Sequence, residues 1–554
     1  MKKTIIVTFL LTILVSTTLF ADGVMPAGSG TANDPYLIAT LNNLLYLSTN
    51  DDLWVEDIYF SQVADIDASN TQTWNGGAGF SPIGKTSPIF CGNYDGNGHT
   101  INNLYINRSS SIYIGLFGRT SGATITNLGV VDADISGSQY VGGLVGSNYS
   151  SSEVINSYST GSVSGGYRVG GLVGSNSSSS TISNSYYDYE TVTINDEHIV
   201  TRGALPSDMF TAWINNDLSL QIDDYLSSDG NDYLINSFDD FEELLAFAEY
   251  PDYSFKLTAD LDLSSEPNFY IPFLAASFDG NSHTINNLYI NINQLYINCI
   301  GLFGYTSGAT ITNLGVMDAD ITGWRYVGGL VGYNDESSVS NSYSTGSVSG
   351  SSYIGGLVGT NYISTINSSY STSSVTGSSH NVGGLVGYNY GDISNSYNTG
   401  SVTCPTSVGG LVGSNSSSSS ISNSYSTGSV SGSSYIGGLV GSYSSCSPTN
   451  NISNSYYDYE TVTINDEHIV TRGALTSDMF TTWVNNDLSL QIDDYLSSDG
   501  NDYLINSFDN FEKLLAFAEY PDYSFKLTAD LDLSTEPNFY IPFLVASFDG
   551  NSHT

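Results

Sequence analysis

The stretch Val141-Gly142-Gly143-Leu144-Val145-Gly146 decides the fold of this 554-residue chain. Its Gly-Leu-apolar-Gly core occurs nine times, and within two runs the successive leucines lie 26 to 28 residues apart. A period in the twenties is the sequence signature of a solenoid, in which each repeat forms one turn stacked on the last. The leucines are Leu116, Leu144, Leu172, Leu302, Leu330, Leu357, Leu385, Leu411 and Leu439.

Each repeat predicts three short strands, for example 140–146, 154–158 and one centred on Val163, with Ser, Asn and Gly at the corners. A turn this small cannot bury a core alone, but turns stacked about 4.8 Å apart can. Parallel crossover connections are overwhelmingly right-handed. We therefore predict an all-β protein, a right-handed parallel β-helix or β-solenoid of ~28-residue coils, with short capping helices in the segments that precede the coils.

A larger repeat surrounds the small one. Residues 182–284 return at 452–554 with seven differences over 103 positions, including Glu243 to Lys513. The second copy stops at Thr554, where the first continues, so we expect the sequence to be an incomplete fragment. The predicted segments are a signal peptide at 1–21, a lead module at 22–109, three coils at 110–184, a spacer at 185–231, a second lead module at 232–297, six coils at 298–454, a second spacer at 455–501 and a truncated third lead module at 502–554.

Helical periodicity is confined to short stretches such as 42–47 and 241–248, each of which precedes a predicted strand. A helix at this place in a solenoid is expected to cover the open end of the stack, where core and backbone would otherwise meet water.

The amino terminus predicts export. Lys2 and Lys3 precede an apolar run, and small residues lead to a cleavage site after Ala21. No later stretch approaches twenty apolar residues, so we expect no membrane insertion after cleavage and a secreted or cell-surface location. The net charge of -43 disfavours nucleic acid and anionic membranes as partners. Four cysteines are too few for a disulfide framework.

Two asparagine series recur in phase with the leucines, which we expect to form the stacked core. Stacked side-chain amides can bond to the turns above and below, so both series are predicted to be structural ladders. The first is Asn148, Asn176, Asn334, Asn361, Asn389 and Asn415, and Tyr443 should end it. The second is Asn127, Asn156, Asn184, Asn313, Asn341, Asn395, Asn423 and Asn454.

Tyrosine is abundant, with 41 residues, many of them in the coils. Stacked aromatic rings can bind the faces of sugars, or they can pack along a sheet with no ligand. Extracellular glycans and host or surface proteins are the partners that this pattern allows, and the oligomeric state stays open.

Catalytic motifs are absent from the sequence: it has no His-Glu-x-x-His, no phosphate-binding loop and no Gly-x-Ser-x-Gly. Carboxylates spaced by two, as in parallel β-helix glycoside hydrolases, occur at Asp65 and Asp67, Asp132 and Asp134, Asp260 and Asp262, and Asp318 and Asp320. They alternate with core residues, which favours a solvated strand face. His99 and its copies are expected to cap a turn. We predict no catalytic residues, no cofactor and, at the partial loop Asp229-Gly230-Asn231-Asp232, at most weak Ca²⁺ binding.

The run Val169-Gly170-Gly171-Leu172-Val173-Gly174-Ser175-Asn176, followed by Ile182-Ser183-Asn184-Ser185-Tyr186, resembles the Glug motif of bacterial surface proteins. The resemblance implies a parallel β-helix and an adhesin-like role, and the motif also occurs as a non-catalytic part of some secreted metallopeptidases. We therefore predict an exported, non-catalytic repeat protein for adhesion or extracellular scaffolding. The alternative is a carbohydrate-active β-helix enzyme or the accessory region of a larger secreted hydrolase or peptidase.

Overall fold

In a computed structural model, which describes residues 23–177, 179–292, 297–443, 451–536 and 538–554, the chain is a parallel β-solenoid of about fifteen turns. The predicted signal peptide and Cys446 lie outside the described residues. Every pairing between the described strands is parallel. The fold class is therefore the predicted one.

The turns form two blocks, and each coil contributes to three sheet faces. In the first block, face one contains Phe117–Ser121, Val145–Tyr149 and Val173–Asn176. Face two contains Tyr36–Ile38, Tyr59–Gln62, Asn93–Asp95, Thr124–Thr126, Glu153–Ile155 and Thr181–Ser183. Face three contains Ile66–Asp67, Thr100–Asn102, Tyr105–Ile114, Gly129–Gly142, Tyr158–Ser164, Tyr167–Gly170, Tyr186–Asp188, Thr193–Ile194 and Ala204–Leu205.

The second block repeats this plan. Face one contains Ile271–Leu274, Phe303–Ser307, Val331–Asp335, Val412–Asn415 and Val440–Tyr443, and Val358–Asn367 and Val386–Ser394 run on from it into face two. Face two also has Tyr233–Ile235, Ser254–Leu257, Ser277–Asp279, Thr310–Thr312, Ser338–Ser340, Ser420–Ser422 and Asn451–Ser453. Face three has Leu261–Asp262, Thr284–Asn286, Tyr289–Ile292, Gly315–Gly323, Arg325–Gly328, Tyr343–Gly355, Tyr370–Ser371, Ser374–Gly383, Tyr397–Asn398, Val402–Thr403, Thr406–Gly409, Tyr425–Ser426, Val430–Ser431, Ser434–Gly437, Tyr456–Asp458 and Ala474–Leu475. A further three-stranded sheet begins the next lead module and consists of Tyr503–Ile505, Ser524–Leu527 and Ser547–Asp549.

The register places like residues above one another. Val145 pairs with Val173, and Val154 pairs with Ile182, each across 28 residues. Because the repeat length matches one turn, every coil adds the same apolar positions to one continuous core.

The predicted single strand at 140–146 is wrong. The chain bends at Gly143 and Leu144, which separates Gly129–Gly142 from Val145–Tyr149. The bend resets the alternation of side chains, so Leu144 and Val145 are both fully buried although they are neighbours. Gly143 serves close approach here, since a Cβ atom would lie 2.5 Å from the carbonyl oxygen of Gly171.

In the part of the chain that the structure describes, seven short helices accompany the strands. They are α1 (Leu41–Thr49), α2 (Ser207–Asn215), α3 (Phe238–Glu242), α4 (Leu244–Phe247), α5 (Ser477–Asn485), α6 (Phe508–Glu512) and α7 (Leu514–Phe517), with 3₁₀ turns at Asp51–Leu53, Ser69–Gly77, Ile222–Asp224 and Ile492–Asp494. Thr40 caps α1 by accepting from the Asn43 amide.

The helices of the second lead module do not cover a free end. Helix α4 lies between the blocks, where the Tyr186 hydroxyl donates to the Ala246 carbonyl at 3.4 Å. Helix α2 packs Trp213 edge-on against Tyr158 and Tyr186 of the preceding coils. The spacer and the second lead module therefore join the two blocks into one stack, because they fill the space between their ends.

Candidate functional site

The nine repeat leucines form a column inside the solenoid. All nine are fully buried, and the column passes along the corner where face three turns into face one. The Leu357 amide donates to the Leu385 carbonyl at 3.0 Å, as neighbouring turns do along the column. These leucines stabilise the fold, and none is available to a ligand.

The first asparagine series forms a buried amide ladder. Nδ2 of Asn361 donates to Oδ1 of Asn389 at 2.9 Å, and Asn389 donates to Asn415 at 2.9 Å. The next coil has Tyr443 in register with Asn415, and Nδ2 of Asn415 has no acceptor among the residues that the structure describes. The ladder ends there because tyrosine at this position offers no carbonyl oxygen.

The second asparagine series lies at the corner between faces two and three. Asn184 donates to Asn156 at 2.8 Å, and Asn423 donates to Asn395 at 3.3 Å. Asn341 donates to Asn313 at 3.2 Å. Each of these residues has positive φ, for example 50° at Asn395, a conformation that asparagine tolerates better than most residues. The series therefore has a backbone role besides the ladder that the sequence predicted.

A serine ladder beside it was not predicted. The Ser342 amide donates to Oγ of Ser369 at 3.2 Å, and the Ser369 amide donates to Oγ of Ser396 at 3.1 Å. These serines are buried and follow the positive-φ corner directly. The recurring Asn-Ser pair was the signal in the sequence, since a buried corner amide needs an acceptor.

Stacking occupies the ring faces of the tyrosines on face three. Tyr343, Tyr370, Tyr397 and Tyr425 stack with centroids 4.8 to 4.9 Å apart and nearly parallel planes. Trp483 of α5 meets the last ring edge-on. Because each inner ring has neighbours on both faces, this column packs along the sheet and leaves no face for a sugar.

The paired carboxylates point into solvent. Asp132 and Asp134 are exposed, and φ of 53° at Asp132 marks a bulge between Val130 and Ala133. Asp65 accepts from the Thr100 amide and from His99, and the amide holds the pKa of Asp65 below its usual value. His283 and Asp260 repeat this contact in the second lead module. The His-Asp pair therefore ties two turns of each lead module together.

No group of three or more metal-ligating side chains occurs within the described ranges. At the predicted partial calcium loop, Oδ1 of Asp229 accepts from the amides of Asn231 and Asp232 at 3.0 Å. Its other oxygen lies 3.6 Å from Nζ of Lys256. Cys91, Cys299 and Cys404 are free thiols.

A row of arginine and tyrosine side chains follows one corner of the coils, where face three approaches face one. Its tyrosines directly precede a buried aliphatic residue, as Tyr140 precedes Val141. The guanidinium of Arg119 lies 5.0 Å from the Tyr113 ring centre, and that of Arg325 lies 4.7 Å from Tyr353. Arg168 lies 5.6 Å from Tyr140. None of these three arginines forms an ion pair with a described residue, although the chain has 55 acidic residues.

This row meets a cleft between the two blocks, where the strand ladders of all three faces are interrupted. The cleft has a volume of about 710 Å³, within the range of small-molecule sites, about 300 to 1,000 Å³. The last coil of the first block forms one wall, with Arg168 and Asn176. The second lead module and its first coils form the other, with Tyr250, Phe273 and Tyr326. We call this space the inter-block cleft.

An ion pair closes one side of the inter-block cleft. Nη2 of Arg202 lies 2.6 Å from Oε2 of Glu249, and the guanidinium covers the Phe273 ring at 3.9 Å. Beyond Phe273 the stack continues to Tyr305 and Tyr333, with ring centroids 5.6 and 5.2 Å apart. Burial is the main cause that raises the pKa of Cys299, which also lines the cleft, to about 12, so this thiol stays protonated.

The fold and the recurring residues define a parallel β-solenoid repeat protein. The GLUG motif matches at residues 137–164, 325–349, 378–403 and 405–431. Four repeats of the chain thus carry the Glug motif that their resemblance predicted.

Two relatives share part of the chain. Halomucin of Haloquadratum walsbyi is 44% identical over 124 residues, which are 22% of this chain and 1% of that protein. A protein named as a Gly-rich membrane protein, from Evansella cellulosilytica, is 35% identical over 130 residues, 23% of this chain and 15% of that protein. The chain thus spans only a small part of the length of either relative. None of its described helices is long and apolar enough to cross a bilayer.

Two solved structures are similar in part. A protein named as an immunoglobulin A1 protease, from Bacteroides ovatus, aligns with 47% of this chain and 88% of its own at 20% identity and a TM-score of 0.38. A second, named IgA1 protease, aligns with 40% of this chain and 21% of its own at 18% identity and a TM-score of 0.32.

Proposed function

We propose that the protein is exported and acts outside the cell as a non-catalytic, rigid repeat column for adhesion or scaffolding. The observation that carries the proposal is the stacking of turns within each block, where the side chains that recur in phase make contacts within the fold. The leucines are in the core, the asparagines and serines bond to neighbouring turns, and the face-three tyrosines stack on one another.

The charge supports an extracellular role. With 55 acidic and 12 basic residues, the column carries a strong negative field, which keeps copies apart in solution and weakens as salt rises. Surface or secreted location is supported by the shared repeats with halomucin and with the Gly-rich membrane protein.

Export is tested by expression of the full chain in a bacterial host with a general secretion system. We expect the mature protein in the medium or on the surface, beginning at Asp22 after cleavage behind Ala21. A chain that stays inside the cell with Met1 in place would contradict the proposal.

Adhesion without catalysis is tested with the purified chain on beads. We expect the coated beads to hold cells or polysaccharide surfaces, and we expect no release of reducing ends from the same polysaccharides. Release that disappears when Asp132 and Asp134 are replaced by asparagine would instead support a carbohydrate-active enzyme.

A further inference from the structure

We propose that the inter-block cleft binds a carboxylated oligosaccharide, with Arg168 contacting the sugar carboxylate and Tyr250 contacting the apolar face of a sugar ring. This inference rests on the proposed adhesive function and names its ligand class. It also assigns the contact to one place, the junction between the blocks, rather than to the column as a whole.

Arg168 is suited to an anion. Its Nη1 donates to Oγ of Ser175 at 2.9 Å and its Nε to the Tyr167 hydroxyl at 3.3 Å, so its position is set by neutral groups. It forms no ion pair with any described carboxylate. The charge of the other cleft arginine, Arg202, is compensated by Glu249. Arg168 is therefore an uncompensated cation in a cleft wall, and guanidinium groups bind carboxylates strongly.

Tyr250 is the most exposed aromatic residue of the cleft, with 38% of its surface accessible. Its one ring contact among the described residues is the tilted ring of Tyr253, 5.7 Å away. This distinguishes it from the stacked tyrosines of face three, whose faces are covered. A partly exposed aromatic ring with a polar edge suits the amphipathic surface of a sugar.

The second junction provides a comparison within the same chain. Arg472, Glu519 and Phe543 repeat the arrangement of Arg202, Glu249 and Phe273. Tyr443 stands there at the position of Asn176, with its ring 5.5 Å from the Arg472 guanidinium. The Arg472 side chain is 14% exposed, against 28% for Arg202. Tyr443 therefore lies over Arg472, although a cleft of about 580 Å³ remains beside it, and asparagine leaves Arg202 of the first cleft more exposed.

The test measures binding of two carboxylated probes, a galacturonate tetramer and sialyl-lactose, to the full chain by calorimetry. The methyl ester of the tetramer and lactose are the neutral counterparts. We expect at least one carboxylated probe to bind at least tenfold more tightly than its neutral counterpart, and 0.5 M NaCl to weaken the difference.

Three variants locate the site. Arg168→Gln should weaken the carboxylated probe about tenfold and leave the neutral one unchanged. Asn176→Tyr, which places a ring beside Arg202 as Tyr443 lies beside Arg472, should weaken binding. The fold should tolerate it, because Nδ2 of Asn148 keeps acceptors at Ser152 and Thr181. Arg119→Gln is the matched control, since Arg119 lies on tyrosines in the same way outside the cleft.

Equal loss in Arg168→Gln and Arg119→Gln, equal binding of charged and neutral sugars, or equally tight binding of an acidic peptide would each overturn the cleft assignment. If neither carboxylated probe binds while coated beads still hold cells, the cleft proposal fails and the adhesive function stands. If the beads also hold nothing, both fail.

Discussion

Nδ2 of Asn389 donates to Oδ1 of Asn415 at 2.9 Å, across 26 residues of sequence and one turn of the solenoid. Both side chains are fully buried, so the hydrogen bond is shielded from water on all sides. Such a contact stabilises the stack only while both partners are present, because a buried amide without a partner costs free energy.

Interruption of this ladder should destabilise the second block. Asn389→Leu removes the bonds to Asn361 and Asn415, and we expect it to lower the free energy of unfolding by about 2–4 kcal/mol. Asn415→Leu removes only one ladder bond and should cost about 1 kcal/mol. Urea unfolding, followed by circular dichroism, measures both. Equal effects of the two variants would show that position in the ladder has no influence on the free energy of unfolding.

The corner asparagines should be sensitive to backbone conformation. Asn395 has φ of 50°, so Asn395→Val should be less stable than Asn395→Gly by about 1–2 kcal/mol. Both variants lose the same amide contacts, which makes their difference a measure of the backbone alone. The thermal midpoints of the two variants provide the comparison, and a valine variant as stable as the glycine variant would refute a strained corner.

The repeat leucines should contribute through packing. Leu385→Ala leaves a cavity in the core column, and we expect a loss of about 2–5 kcal/mol in unfolding free energy. Val55 is 52% exposed, and Val55→Ala should change stability by less than about 0.5 kcal/mol. The same urea titration serves for both. A small effect at Leu385 would mean that neighbouring turns collapse into the space.

Glu243 should make stability depend on pH. Burial, together with the nearby carboxylates of Asp208, Asp239, Asp240 and Glu242, raises its pKa to about 7. A carboxyl whose pKa is raised in the folded state stabilises the fold fully below its unfolded value of 4.5, and this contribution is lost as pH rises through about 7. Glu243→Gln should therefore raise the thermal midpoint at pH 8 and leave it nearly unchanged at pH 4.

The second copy of the segment has a lysine, Lys513, where the first has Glu243. Glu243→Lys should accordingly be tolerated at pH 8, and the exposed Glu56→Gln serves as a control that changes charge elsewhere. Scanning calorimetry at pH 4 and pH 8 measures all three variants. A shift of the same size at both pH values for Glu243→Gln would contradict a raised pKa.

The repeat period, read from the leucine spacing, determined the solenoid class, because one residue type at a constant interval can be buried only if successive turns stack in register. The same periodicity predicted the asparagine ladders and the end of one of them at Tyr443, since a ladder requires an amide in every turn. These features depend on contacts between residues at the same position of successive repeats. The repeats, and therefore these positions, can be recognised in the sequence.

Other features depend on contacts between positions that are not equivalent, and only the tertiary structure decided them. The bend at Gly143 buries both Leu144 and Val145, which alternation along a strand does not predict. Helix α4 lies between the blocks rather than over a free end. The inter-block cleft unites Arg168 with Tyr250 from different modules. No period in the chain relates these residues, because the end of one stack and the start of the next meet only through the folded spacer.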